Sequence, residues 1–408
     1  MTSEGEARRR GSLYRLGFLG ILLFFLAHVT VIAVVCWRRG RARRRTSVCP
    51  TMAMAKFLDD MELEKPIRFT SQQLRTATNN FSDLLGSGGF GSVYKGTLKN
   101  GMAVAVKVLN GELSNKRIEE QFMAEVSTLG RIHHFNLVRL HGFCFERSLR
   151  ALVYEFMANG SLDRYLFREN KVLEFEQLHE IAVGTARGIA YLHEECQQRI
   201  VHYDIKPGNI LLDSKFSPKV ADFGLAKLCN RDSTHITMTG GRGTPGYAAP
   251  ELWMPLPITH KCDVYSFGML LFEIIGRRRN LDINLAESQE WFPKWVWKKF
   301  EKGEMAEMMI VCGIEEKDRE MAEKMAKTAL WCVQYRPEGR PLISTAVKML
   351  EDAIEIPAPS NPFPFFAEGP ACPFPRTSSS SWSGSSGTVR SSTVCPIMSK
   401  YEIEIASN

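Results

Sequence analysis

The chain has 408 residues, 44% of them hydrophobic and 24% charged, with 31 Gly and 19 Pro; this excludes a wholly disordered or collagen-like chain and leaves room for two or three domains. A formal charge of +7 would suit a polyanion binder if it were spread over the molecule. It is not: residues 1–45 carry ten Arg, two Glu and no Lys or Asp, a net of +8, while the other 363 residues carry 42 basic and 43 acidic side chains, which leaves a nucleic-acid partner without support.

Residues 1–15 are a short N-terminus containing Arg8, Arg9, Arg10 and Arg15. From Leu16 to Trp37 there is no Lys, Arg, Asp or Glu, and only His28 and Thr30 interrupt the apolar run. A helix over residues 16–37 reaches about 33 Å, enough to cross a hydrocarbon core of ~30 Å. The run is longer than the apolar core of a cleaved signal peptide, and it ends at Arg38, Arg39, Arg41, Arg43, Arg44 and Arg45, a stop-transfer pattern. One transmembrane helix is therefore expected, with membrane lipid as a partner of the flanking Arg clusters. Six Arg follow the span and four precede it, which favours a cytoplasmic C-terminal side in a single-pass protein, expected at the plasma membrane. The ten cysteines are scattered singly, with no C-x-x-C, and suit reduced thiols on that side. Cys36, at the boundary of the span, is a plain buried thiol or a palmitoylation site. The 15 residues before the span are too few for a ligand-binding domain, so a co-receptor enters the expected partners.

Residues 38–68 read as a basic stop-transfer and juxtamembrane linker. Strand-like and helix-like segments alternate over 69–354 without internal repeats. Residues 355–408 turn to Pro, Phe, Ser and Gly, a composition that predicts a disordered tail.

Six motifs carry chemistry. Leu85-Gly86-Ser87-Gly88-Gly89-Phe90-Gly91-Ser92-Val93 is glycine-rich enough for a backbone to approach phosphates, and it continues as a strand, which excludes a dinucleotide-binding turn. In Val104-Ala105-Val106-Lys107-Val108 the strand period puts the valines on one face and Ala105 with Lys107 on the other. Ile118, Phe122, Val126 and Leu129 recur at helical spacing, and Glu125 flanks that apolar face, where it needs a partner such as Lys107. The run Ile200-Val201-His202-Tyr203-Asp204-Ile205-Lys206-Pro207-Gly208-Asn209 sets a proton acceptor, a cation and an amide ligand between apolar flanks. Asp222-Phe223-Gly224 offers a hard oxygen ligand suited to Mg²⁺. Ala249-Pro250-Glu251 follows Thr244-Pro245-Gly246-Tyr247. Either tripeptide alone is more often an ordinary turn.

Together, in this order and at these spacings, the motifs of 69–354 resemble those of the eukaryotic protein kinases. The resemblance implies an α+β bilobal fold, an antiparallel β N-lobe and a mainly helical C-lobe with ATP between them, preceded here by the transmembrane helix. It implies that Leu85, Gly86, Gly88, Gly91 and Val93 cover ATP, that Ala105 borders the adenine, and that Lys107 binds phosphates while paired with Glu125. Tyr154 looks like the gatekeeper, with the Glu155 carbonyl and Met157 amide as hinge contacts. Asp204 is implied as the base, Lys206 as the contact to the γ-phosphate, and Asn209 and Asp222 as ligands of Mg²⁺ or Mn²⁺. Asp263 matches the aspartate that supports the catalytic loop, and Glu251 and Arg340 match the C-lobe ion pair.

Lys206 and Thr244 resemble the serine/threonine type, so proteins with Ser or Thr acceptors are the implied substrates. Arg68-Phe69-Thr70 leading to Ala77-Thr78-Asn79-Asn80-Phe81-Ser82 resembles the plant receptor-like kinases. The runs around His202-Tyr203-Asp204 and Gly241-Arg242-Gly243-Thr244 are similar to the leaf-rust-resistance branch. Two departures stand out: the extracellular region usual in that branch does not precede the span, and Tyr203 replaces the Arg common before the catalytic Asp. That Arg pairs with a phosphorylated activation loop, so phosphate on Thr237 or Thr239 is expected to matter less here. A pseudokinase or scaffold that binds partners without catalysis stays open as the alternative reading.

Overall fold

The computed structural model describes residues 66–364, apart from 89–90, 110–115, 147, 169–172, 231–242, 255–256 and 287–288. The span expected over 16–37, the linker up to 65 and most of the C-terminal tail lie outside the described residues, as do Thr237 and Thr239. Among the described residues no helix is long and apolar enough to cross a membrane.

The N-terminal part is a six-stranded sheet built from β1 (Ile67–Arg68), β2 (Leu84–Gly88), β3 (Gly91–Thr97), β4 (Ala103–Val108), β5 (Leu140–Phe145) and β6 (Arg150–Glu155), in the order β1-β5-β6-β4-β3-β2. The sheet was expected to be antiparallel, and five of its strands are; β1 instead pairs with β5 in parallel, Ile67 opposite Gly142. Gly142 is what admits it: a Cβ there would lie 2.0 Å from the Ile67 carbonyl oxygen and 2.6 Å from the Phe69 ring. A short helix, α1 (Ser71–Ala77), follows, opened by a capping box in which Thr70 and Gln73 satisfy each other's backbone N–H groups. Its Leu74 is fully buried with Val104, Val106, Cys144, Ala151 and Val153, so the residues after the linker complete the core of the sheet. The alternation of β4 sends Val104 and Val106 into that core and leaves Lys107 on the other face. Helix α2 (Lys116–Leu129) buries Ile118, Phe122, Val126 and Leu129, and Phe122 meets Phe143 edge-to-face at 6.0 Å.

The C-terminal part is mainly helical. Two short β7 (Gly160–Ser161) residues and α3 (Asp163–Leu166) lead into α4 (Phe175–Ala190). Then β8 (Arg199–Val201) pairs with β11 (Lys227–Cys229), enclosing the β9 (Ile210–Leu212) and β10 (Pro218–Val220) hairpin. This nesting brings the loops 202–209 and 221–226 side by side at the cleft. Helix α5 (Lys261–Gly276) is mostly apolar, and nearly all its residues are buried, Asp263 and Glu273 among them, as in a central helix. Helices α6 (Phe292–Glu301), α7 (Met305–Val311), α8 (Arg319–Cys332) and α9 (Ile343–Leu350) surround it.

Of the tail that begins at 355, residues 355–364 are described and lie on this helical part. The Trp331 indole donates to the Pro357 carbonyl at 2.9 Å, and the buried Phe363 ring meets Trp291 at 4.7 Å. Specific aromatic and amide partners order a segment whose composition alone reads as unstructured.

Candidate active site

Strand β4 and helix α2 bring their two charged residues together. Lys107 Nζ lies 2.7 Å from Glu125 Oε1 and 2.8 Å from Asp222 Oδ1, with Lys107 and Glu125 both buried. Burial alone would lower the Lys107 pKa, but the two carboxylates outweigh it and hold the ammonium well above its usual range. Burial pushes the Glu125 carboxyl up, opposed by the Lys107 charge. Burial also opposes ionisation of Asp222, yet Lys107 wins and its pKa is lowered. The other Glu125 oxygen accepts a hydrogen bond from the Tyr154 hydroxyl, so both oxygens of a buried carboxylate are satisfied. Asp222 sits at φ 65, a left-handed conformation uncommon for any residue but glycine, and next to it the fully buried Phe223 ring meets His202 at 4.7 Å.

A second cluster is built on the loop after β8. Thr244 Oγ1 donates to Asp204 Oδ1 at 2.5 Å, while Lys206 Nζ lies 2.8 Å from Asp204 Oδ2. Asn209 Nδ2 donates to both the carbonyl and Oδ2 of Asp204 at 2.8 Å, and Lys206 also donates to Thr244 at 2.7 Å. Three side chains thus fix one carboxylate. The loop backbone hangs on Asp263 at the start of α5: its oxygens accept from the His202 and Tyr203 N–H groups at 2.8 Å each and meet His193 Nε2 at 2.9 Å. Burial works against that carboxylate's charge, but His193, His202 and these bonds prevail and lower its pKa. Tyr203 itself is buried and held at φ 66.

One cavity of about 510 Å³ joins the pieces. Leu85, Gly86, Gly88, Gly91, Val93, Ala105, Lys107, Glu125, Tyr154, Glu155, Met157, Asn209 and Asp222 all line it, so the residues expected to touch nucleotide or metal, Lys206 apart, face the same space. Asp204 and Lys206 stand beside it, tied in through Asn209. Gly91 is required where it is: at φ +134, a Cβ would lie 2.1 Å from the Val108 carbonyl oxygen. The Glu155 carboxylate is turned to the Arg139 N–H, 2.7 Å away, and to Lys219, so it is the backbone of this residue that remains for the cavity. Away from the cavity, Arg340 holds Glu251 bidentately at 2.6 and 2.8 Å, both side chains fully buried.

Sequence reasoning placed these residues but missed others. Val138, Leu211, Ala221 and Asp163 also line the cavity. Leu211 was readable from the strand period, since it faces opposite to the buried Ile210 and Leu212. Thr244 entered the sequence reading only as a marker of acceptor class, whereas its hydroxyl bridges Asp204 and Lys206 across some forty positions of chain.

Residues 80–350 match the family described as protein tyrosine and serine/threonine kinase. The chain belongs to the protein kinases. It is 42% identical over 348 residues to rust resistance kinase Lr10 of Triticum aestivum, covering 83% of this chain and 54% of that one. It is 46% identical over 340 residues to the G-type lectin S-receptor-like serine/threonine-protein kinase SD2-5 of Arabidopsis thaliana, covering 81% and 41%. Leaf rust 10 disease-resistance locus receptor-like protein kinase-like 2.2 of the same plant is 40% identical over 339 residues, covering 81% and 51%. These relatives place the kinase among the plant receptor-like serine/threonine kinases of the Lr10 branch. It spans between about two fifths and about half of their lengths.

Proposed function

We propose that this kinase transfers the γ-phosphoryl group of ATP to Ser and Thr hydroxyls of proteins, and that it does so from a membrane, in receptor-type signalling related to defence. The observation that carries the reading is a cavity lined by Lys107, which Glu125 and Asp222 share, with a triply held carboxylate, Asp204, beside it and bonded to Asn209 of its wall. Lys107, Asp222 and Asp204 are thus each held by an ion pair before any substrate arrives, which is the preorganisation that phosphoryl transfer needs.

The chain's own residues suggest the division of labour. Leu85, Val93, Ala105 and Met157 offer apolar walls for a flat base, and the Glu155 carbonyl and Met157 N–H lie at its edge. Around Gly86 and Gly88 a Cβ would meet nothing within 4 Å, so the strand backbone has open space on the cavity side, as a phosphate cradle requires. Lys107 faces the phosphates as a charged donor. Asp204 takes the proton of the incoming hydroxyl, Thr244 giving way to that hydroxyl, and Lys206 offsets charge on the moving group. Asn209 and Asp222 fit Mg²⁺ or Mn²⁺: the Asn209 amide nitrogen is bonded to Asp204, so its oxygen is the atom left for a metal, and the lowered pKa of Asp222 keeps an anionic oxygen beside it. When bound, the metal supplies charge neutralisation of the phosphates.

Membrane anchoring through residues 16–37, with the Arg clusters at lipid headgroups and the kinase part in the cytoplasm at the plasma membrane, rests on the sequence pattern and on the receptor-like names of the relatives. Alkaline carbonate extraction of the full chain tests it: retention in the pellet, lost on deleting 16–37, supports the anchor, and release of the intact chain contradicts it. The transfer reaction is tested by autophosphorylation of the full chain with γ-labelled ATP and Mg²⁺. Label on the wild type and none on Asp204→Asn is expected; equal label on both, or none on the wild type, contradicts the assignment.

A further inference from the structure

The ordered start of the tail is a strap laid across the helical part, and its seat is unusually explicit. Pro359, Pro362 and Phe363 are buried, while Ser360 between them is exposed. Ser360 and Gln334 exchange two hydrogen bonds: Gln334 Nε2 donates to the Ser360 carbonyl at 2.9 Å, and the Ser360 hydroxyl donates to Gln334 Oε1 at 2.9 Å. Gln334 Nε2 is also bonded to the Leu330 carbonyl at 3.0 Å, which fixes which way its amide points. On one side of this pair the Trp331 indole holds Pro357, and on the other the Phe363 ring covers Trp291.

We propose that Ser360 is a phosphorylation site and that phosphate on its oxygen releases the strap. Ser360 is exposed and its hydroxyl only partly covered, in a chain segment free of helix or strand, where a kinase can reach it after a small local opening. In the modification the Ser360 oxygen bonds to the γ-phosphorus of ATP, the bond from that phosphorus to the β–γ bridging oxygen breaks, ADP leaves, and the hydroxyl proton passes to the base of the kinase that acts. The product has lost its donor and carries only acceptor oxygens, facing Gln334 Oε1, itself an acceptor. Turning the Gln334 amide over does not help. It would offer NH₂ to the phosphate but set Oε1 against the carbonyls of both Leu330 and Ser360. A dianion therefore meets a seat that either orientation of the glutamine makes repulsive.

The strap touches more than its own seat. The Gln334 carbonyl accepts from Arg340 Nε at 2.8 Å, and Arg340 is the partner of Glu251. Trp291, under Phe363, precedes a segment whose Phe292 N–H is bonded to Asn280, and the Asn280 N–H is bonded to Glu273, which also holds the Tyr247 hydroxyl. Both anchor points thus abut the residues that support the 244–251 segment beside Asp204.

The test uses the full chain with phosphoserine installed at 360 during translation, so it does not depend on the kinase's own activity. Hydroxyl-radical footprinting reads the exposure of Trp291, Trp331 and Phe363. Labelling of all three is expected to rise several-fold in the phosphoserine chain, with Trp291 and Trp331 reaching the level of a Phe363→Ala chain, while Ser360→Ala labels like the wild type. Wild-type labelling in the phosphoserine chain, or labelling reduced further because a neighbouring cation captures the phosphate, would overturn the proposal.

Discussion

Replacing Asp263 by Asn changes no shape and removes one charge, and the geometry predicts a large effect. Asp263 is fully buried and accepts from three donors: Oδ1 from the Tyr203 N–H, Oδ2 from the His202 N–H and from His193. An amide has one acceptor oxygen. With that oxygen at the Oδ2 position its NH₂ faces the Tyr203 N–H; with the amide reversed, the NH₂ faces the His202 N–H. Either way a buried backbone donor confronts another donor. Losing a bond to a charged acceptor and stranding a buried N–H together cost about 3–5 kcal/mol. The stranded groups flank Asp204, the proposed base, so that carboxylate should lose its placement as well as the fold its stability. Urea unfolding should show that loss, and kcat should fall at least about tenfold, the equivalent of ~1.4 kcal/mol in the barrier, with KM for ATP little changed. A stability change under about 1 kcal/mol with unaltered kcat would refute the claim that this carboxylate holds the loop.

Gly142→Ala should drive β1 from the sheet, because its Cβ would meet the Ile67 carbonyl oxygen at 2.0 Å. The expected cost is about 1–3 kcal/mol, with faster hydrogen exchange at the Phe69 N–H that now bonds Phe143; unchanged exchange there would contradict it. His260 is lowered from 6.5 to about 3, first by burial and then by the neighbouring His193 and Arg199. The unfolded chain therefore takes up a proton near pH 6.5 that the native one refuses, so stability is lost as pH falls below that value, at up to ~1.4 kcal/mol per pH unit until near pH 3. Urea midpoints between pH 7 and pH 5 should fall less steeply in His260→Asn, and equal slopes would count against this. Thr237→Ala combined with Thr239→Ala should leave the greater part of the activity, because Tyr203 stands where an Arg would bind an activation-loop phosphate. Abolished activity would show that such phosphates have another partner.

What was legible in advance followed the reach of local periodicity. The two-residue period of β4 separated Lys107 from the valines of the core, and helical spacing set Glu125 at the rim of the apolar stripe of α2, so their contact could be anticipated. The Tyr154 hydroxyl on Glu125 could not, since Tyr154 carries no local mark of its partner 29 positions away. Strand β1 has only two residues, too short for any alternation, and exists because Gly142 leaves room for it. The seat of the strap was not legible, because its contacts are with Trp291, Trp331 and Gln334, which lie well before it in the chain. In each case the missing information was a partner far off in sequence.

The most direct measurement of the central claim uses two peptides identical except for a Ser or Tyr acceptor, incubated with the full chain and γ-labelled ATP. Mg²⁺-dependent label on the Ser peptide alone, absent with Asp204→Asn, is what this site predicts. Equal labelling of the Tyr peptide, or undiminished labelling by Asp204→Asn, would contradict it.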